Sequence, residues 1–259
     1  MKDSLFWQLR CSDSEHPSVI VGTIHLSVPE ALIHWPKIQE YLAEYEDIFT
    51  ESSLSDRDQA FVSNYVFFKE PDTYLEYITP NRWDKMRKTF LKYYEIDIGH
   101  MRNMRPTFIL SAIYQKLMPG TGPSLDKRIW DYALSNDKNI RGLETIYEQI
   151  EILNNLSLRN QYRQLVRISK KISGTHKQFS KILMAYQNQD LYKLFQLTKR
   201  TLGPDKKLLL EDRNLILVDR MILQHNTTPS FFSFGAGHLV GKHGVLAMLK
   251  RKKMIINAI

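Results

Sequence analysis

Two short apolar runs, Val19-Ile20-Val21 and Phe231-Phe232-Ser233-Phe234, stand at opposite ends of a 259-residue chain, and each breaks into the same step: Gly-x-x-His followed by leucine. In the first, Gly22 leads to His25; in the second, Gly235 leads to His238. Runs this short, closed by glycine, suit buried strands rather than buried helices. Strands far apart in sequence can be neighbours in one sheet, so the two steps can meet.

The segments between fill in the architecture. Residues 4–9 and 18–24 are expected to be strands, with the turn-rich stretch at 11–17 as their hairpin connection. Pro36 can sit in the first turn of a helix carrying Ile38, Tyr41, Leu42 and Tyr45. Residues 46–51 read as the next strand, ending in Glu51. The pattern is helical from about 54 to 118, with Pro106 marking a helix start or break. A strand at 138–145 is expected to end at Gly142 with Glu144 just beyond. A second helical stretch runs from about 145 to 225. A late strand at 231–234, a helix after His238 and a final strand at the C-terminus close the chain. The expected fold is α/β, a central mixed β-sheet flanked by helices, in a single domain over 1–259 with a mostly helical insertion at about 54–225.

Functional side chains of α/β sheets collect beyond the carboxyl ends of strands. His25, Glu51, Glu144 and His238 all fall at or just past such ends, so one crevice can gather all four. Two imidazoles and a carboxylate are a common set of ligands for a divalent metal that keeps a position open for water. That makes His25, Glu51 and His238 the candidate metal ligands, with Glu144 completing the set or acting as general base. The remaining histidines (16, 34, 100, 176, 225 and 243) fall in polar loops or on helix faces.

Other chemistries find little footing. The single cysteine, Cys11, excludes an internal disulfide framework and a cysteine-rich zinc site. The spacing Gly235-x-Gly237-x-x-x-Gly241 is too long for a dinucleotide fingerprint, and no nucleophile elbow or His-Glu-x-x-His helix is present. The net charge of +8 comes from 36 basic and 28 acidic residues spread through amphipathic segments. A solvated face is the expected reading, with no nucleic acid as partner. No apolar run is long enough for a membrane span, and no apolar segment follows Met1 as in a signal peptide, so a cytoplasmic protein is expected.

The motifs in order and spacing carry a resemblance. "VGTIHLS", the strand glutamate Glu51, "RGLETIYEQ" at 141–149, "EDRN" at 211–214 and "GAGHLVGKHGVLAML" at 235–249 together resemble the TraB/GumN family, over nearly the whole chain and closest to its bacterial GumN-like branch. The resemblance implies an erythromycin-esterase/ChaN-like fold. Its Tiki members are metal-dependent proteases using manganese or cobalt at the two Gly-x-x-His motifs and a glutamate. Carried onto this chain, those positions are His25, Glu51 and His238. Glu144, Arg213 and Asn214 match further motif positions, and an arginine there could stabilise an oxyanion or hold a substrate carboxylate. Where many relatives place a second acid two residues after the strand glutamate, this chain has Ser52 and Ser53.

The leading expectation is a metal-dependent hydrolase acting on peptides or a small-molecule substrate, with manganese or cobalt, or else zinc, as cofactor. An esterase-like hydrolase with a histidine base and no metal is the second expectation. A non-catalytic protein that binds a peptide or pheromone is the third.

Overall fold

The segments Ser18–Thr23 and Ser230–Gly235 are buried at nearly every residue, which only the middle of a sheet covered on both faces permits. In the computed structural model, which describes residues 3–11, 16–70, 72–118, 120 and 122–259, they are adjacent strands. Along the chain the elements are β1 (Phe6–Arg10), β2 (Ser18–Thr23), α1 (Trp35–Glu44), β3 (Asp47–Ser52), α2 (Asp56–Tyr65), α3 (Pro80–Tyr94), α4 (Pro106–Leu117), α5 (Leu125–Ser135) and β4 (Asn139–Glu144). There follow α6 (Ile146–Asn155), α7 (Leu158–Lys170), α8 (Ile172–Gln187), α9 (Leu191–Leu202), α10 (Asp212–His225), β5 (Ser230–Gly235), α11 (Val245–Arg251) and β6 (Ile255–Ala258).

The six strands form one mixed sheet in the order β4-β3-β5-β2-β1-β6. The first four are parallel: β3 pairs with β4 and β5, and β5 pairs with β2. Strand β1 runs antiparallel to both β2 and β6. The chain is therefore an α/β protein with a mixed sheet flanked by helices, as the sequence pattern predicts. Residues 12–15 of the expected hairpin connection lie outside the described residues.

By packing, the chain divides into two compact units. The first comprises Met1–Leu54, Gly120–Gln149 and Lys181–Ile259; it holds the sheet and a core built on Phe6, Ile20, Ile48, Phe231, Phe232, Phe234, Leu217 and Leu246. Helix α5 enters this core through Leu125, Ile129 and Ala133 after Ser124 caps its start by accepting the Lys127 amide. The second comprises Ser55–Pro119 and Ile150–Ser180 and has its own core, around Trp83, Phe90, Ile98, Ile109, Ile113, Tyr162 and Leu165.

Local boundaries depart from expectation where glycine and backbone pairing decide them. Strand β4 does not stop at Gly142; it stays in register to Ser52↔Glu144, so Glu144 is its last residue. Helix α11 begins at Val245 rather than directly after His238. Between them lie a 3-10 turn, Ala236–His238, and Gly241, whose φ of +104° is a conformation that side chains rarely adopt. Pro106 starts α4 from its first turn. The helical stretch expected over 145–225 is broken into α6 to α10 by the caps Ser157 and Asp190 and by Gly203 at positive φ. Among the described residues no helix is long and apolar enough to cross a membrane.

Phe232 lies in the middle of this arrangement, fully buried with its ring 5.5 Å from that of Phe49. Phe232→Ala is expected to destabilise the sheet-bearing unit by about 3–5 kcal/mol, the usual cost of deleting a core aromatic. Equilibrium urea unfolding, followed by near-ultraviolet circular dichroism, checks this; a loss under about 1 kcal/mol would contradict the placement of Phe232 in a close-packed core.

Candidate active site

Because β4, β3, β5 and β2 are parallel neighbours, their carboxyl ends lie along one edge, and those ends carry Glu144, Glu51, Gly235 with His238, and His25. The four residues singled out from the sequence therefore meet, joined by Arg213 from the first turn of α10.

Glu51 is the meeting point. Its Oε2 accepts the Gly235 amide at 2.9 Å and lies 3.6 Å from His25 Nε2. Its Oε1 accepts from Arg213 Nη2 and lies 4.0 Å from His238 Nε2. Arg213 also donates to Glu144: Nε reaches Oε1 at 2.9 Å and Oε2 at 3.1 Å, and Nη2 reaches Oε2. Gln149 donates to Glu144 Oε2 at 3.2 Å, so the carboxylate of Glu144 is taken up by Arg213 and Gln149. All three charged side chains of this group are nearly buried, which is tolerable only because the guanidinium lies between the two carboxylates and all three are hydrogen-bonded.

Each histidine is held by the nitrogen that faces away from Glu51. His25 Nδ1 donates to Asp126 Oδ2 at 2.7 Å, and the Thr23 hydroxyl secures the other oxygen of Asp126 at 2.8 Å. His238 Nδ1 donates to Asn214 Oδ1 at 2.6 Å. The direction of that bond follows from Asn214 itself: its amide nitrogen donates to the His243 carbonyl at 2.7 Å, so its oxygen faces His238. Both rings thereby spend Nδ1 on a fixed oxygen and turn Nε2 toward Glu51.

The electrostatics differ between the two rings. The Asp126 carboxylate holds the His25 imidazole well above its usual range, despite some desolvation and with a smaller contribution from Glu51. Burial pushes His238 down to about 4; Glu51 only partly offsets this, and Arg213 and His25 add to it, so the ring is neutral. Burial alone would raise Glu51, but the Arg213 guanidinium, with both histidines, outweighs it and holds the carboxyl well below the usual carboxylate range. The His25 side chain is 61% exposed and reachable from solvent, whereas that of His238 is 5% exposed.

The glycines shape the space. A Cβ on Gly22 would meet Leu239 Cδ1 at 2.7 Å and Ala236 Cβ at 3.1 Å, so the glycine of the first motif makes room for the turn of the second. A Cβ on Gly235 would stand 3.4 Å from Glu51 Oε2, 3.5 Å from His25 Nε2 and 3.6 Å from His238 Cδ2. A small gap thus lies among the three side chains. The backbone entering α10 passes through a π-helical turn, Lys207–Glu211, after which the consecutive residues Arg213 and Asn214 serve the carboxylates and His238 respectively.

Asp126 and Thr23 were not legible as site residues. Asp126 reads as an ordinary acid in the first turn of a helix, and only the fold carries it to His25. Of the other histidines, His225 bonds Ser18 Oγ at 2.7 Å and His34 bonds the Tyr186 carbonyl at 3.3 Å; neither joins the cluster. His243 contributes its carbonyl to Asn214.

A metal has partly suitable donors here. Two imidazoles with Nδ1 anchored to oxygen acceptors, Nε2 toward a carboxylate, are how metal-binding histidines are usually presented, and the gap over Gly235 lies among them. Glu51 would bind through Oε2, since Oε1 is engaged by Arg213. As the side chains stand, no group of three or more His, Cys, Asp or Glu among the described residues is gathered closely enough to hold an ion.

Two variants test this geometry. Gly235→Ala is expected to fold with little change in Tm, since all its new contacts are ordinary van der Waals distances, yet to lose any activity of the site by filling the gap. An active variant would show that the gap is not where substrate or cofactor sits. Arg213→Met leaves two buried carboxylates without their cation and is expected to cost about 3–5 kcal/mol near neutrality. Because Arg213 lowers the folded-state pKa of Glu51, that stabilisation is complete above the normal carboxylate range and fades as pH falls through the folded value. The stability gap between wild type and variant should therefore narrow in acid; urea titrations at several pH values would expose a constant gap.

A sequence profile of the TraB/PrgY/gumN family matches residues 5–258, essentially the whole chain. No curated protein matches at a significant level, and neither does any solved structure. With the two Gly-x-x-His steps, the strand glutamates and the arginine gathered at one sheet edge, the chain belongs to the TraB/PrgY/gumN family.

Proposed function

We propose that this chain is a hydrolase acting on peptides, with the cluster of His25, Glu51 and His238 as its active site. The observation that carries the reading is the convergence of two Nδ1-anchored imidazoles on one carboxylate beside a gap that a single methyl would fill. His25 Nε2, His238 Nε2 and Glu51 Oε2 would hold a divalent cation, manganese or cobalt in the first instance and zinc as a further possibility. Bound there, such an ion supplies a water of lowered pKa and polarises a carbonyl.

The protein's own groups perform the rest. Asp126 and Asn214 keep Nε2 of each histidine turned inward. Arg213 holds Glu51 ionised and in place, leaving Oε2 as the atom that faces His25. Glu144 fixes Arg213 in turn. His25, the exposed member, would keep the cation open to solvent, its two nitrogens taken up by Asp126 and the ion. A cytoplasmic setting goes with this proposal.

A second reading has its own observation. The His25–Asp126 bond and the exposure of the His25 ring are also what a general base acting directly on water requires. Metal analysis separates the two. On the first reading, protein incubated with manganese or cobalt and desalted retains about one equivalent, and gains thermal stability on adding the ion, because a ligand specific to the native state must stabilise it. The His25→Ala/His238→Ala variant retains none. Peptide hydrolysis that survives exhaustive chelation, yet is lost in Asp126→Asn, would move the second reading ahead. Tight peptide binding with no product after long incubation would overturn both in favour of a binding protein.

A further inference from the structure

The unit Ser55–Pro119 and Ile150–Ser180 carries chemistry that the hydrolytic site does not use. Helix α7 contains no acid; its charged residues are Arg159, Arg163, Arg167 and Lys170. Arg163, Arg167 and Lys170 are spaced i, i+4, i+7, so they line one face. At 1.5 Å rise per residue they extend over about 10 Å of helix. With Arg82 from the first turn of α3, they rim a pocket of about 290 Å³ whose lining includes Tyr77 and Tyr162. No acidic residue lines this pocket, and among the described residues none of the four cations has a salt-bridge partner.

The floor of the pocket is rigid and aromatic: Tyr162 is 1% exposed, and its ring stacks on that of Tyr77 at 5.5 Å and 13°. Four cations around one concavity repel one another. That repulsion falls if the pocket holds an anion rich in acceptor oxygens. Guanidinium groups favour phosphoryl oxygens, which their planar fork meets two at a time. One phosphoryl group is short beside the length of the cationic row on α7, so a chain of them matches the row better.

We propose that this pocket binds a small molecule carrying two or more adjacent phosphoryl groups. The proposal is independent of the hydrolytic reading. It is tested by isothermal titration of the full chain with pyrophosphate and tripolyphosphate, alongside inorganic phosphate and a single-stranded RNA oligonucleotide. The expected result is one site per chain for the condensed phosphates, with weaker binding of inorganic phosphate. Affinity should drop at least tenfold in Arg163→Gln/Arg167→Gln and should be unchanged in the control Lys250→Gln/Lys252→Gln. Circular dichroism checks that the exposed substitutions leave the helices intact. No binding, or binding that Arg163→Gln/Arg167→Gln leaves unchanged, would overturn the proposal. So would RNA binding that exceeds that of tripolyphosphate and strengthens with oligonucleotide length, which would make the surface one for nucleic acid.

Discussion

A single guanidinium holds the candidate site together. Arg213 lies between Glu51 and Glu144, two buried carboxylates from adjacent parallel strands, and donates to both. Its planar fork reaches both at once, which a lysine could not do with the same geometry. The next residue, Asn214, directs His238. One helical turn therefore ties two carboxylates together and sets the orientation of an imidazole. The π-helical turn just before it gives this part of α10 its distinct register.

Around that centre the protein controls which atoms face the gap. Both histidines spend Nδ1 on a fixed oxygen and keep Nε2 for chemistry, but they do so with different partners. A carboxylate, Asp126, raises the basicity of the exposed ring; an amide, Asn214, orients the buried ring without adding charge. The pair is thus one basic, accessible imidazole and one neutral, enclosed imidazole facing the same carboxylate. Environments that push like groups apart in pKa are the usual way a site divides proton-transfer roles. The glycine steps serve space as well as conformation: Gly22 admits the turn that carries His238, and Gly235 leaves the gap open.

The second unit, with its own core, has a chemistry unlike the first. Where the sheet edge surrounds its cation with carboxylates, the face of α7 gathers cations that, among the described residues, have no salt-bridge partner around an aromatic-lined pocket. A net charge of +8 read from composition alone gives no hint of this contrast, because composition averages over surfaces that fold apart.

Much of the fold and part of the site were legible in the residues. Short apolar runs at 19–21 and 231–234 closed by glycine suit buried strands, and strand ends are where an α/β sheet exposes functional groups, so His25, Glu51, Glu144 and His238 were recoverable from pattern and position. Their supports were less so. Asp126 lies 101 residues from His25 in sequence and looks like any acid at a helix start; that Gln149 would bond Glu144 rather than water is likewise invisible locally. Helix boundaries near His238 depended on Gly241 adopting a positive φ, which sequence permits but does not impose. The sequence by itself determined the periodicities and the residue types available near the strand ends, because those follow from local chain geometry. The tertiary structure alone decided which carboxylate each cation meets, which nitrogen of each histidine is left free, and how the charge is divided between two cores, because these depend on distances between segments that no local rule connects.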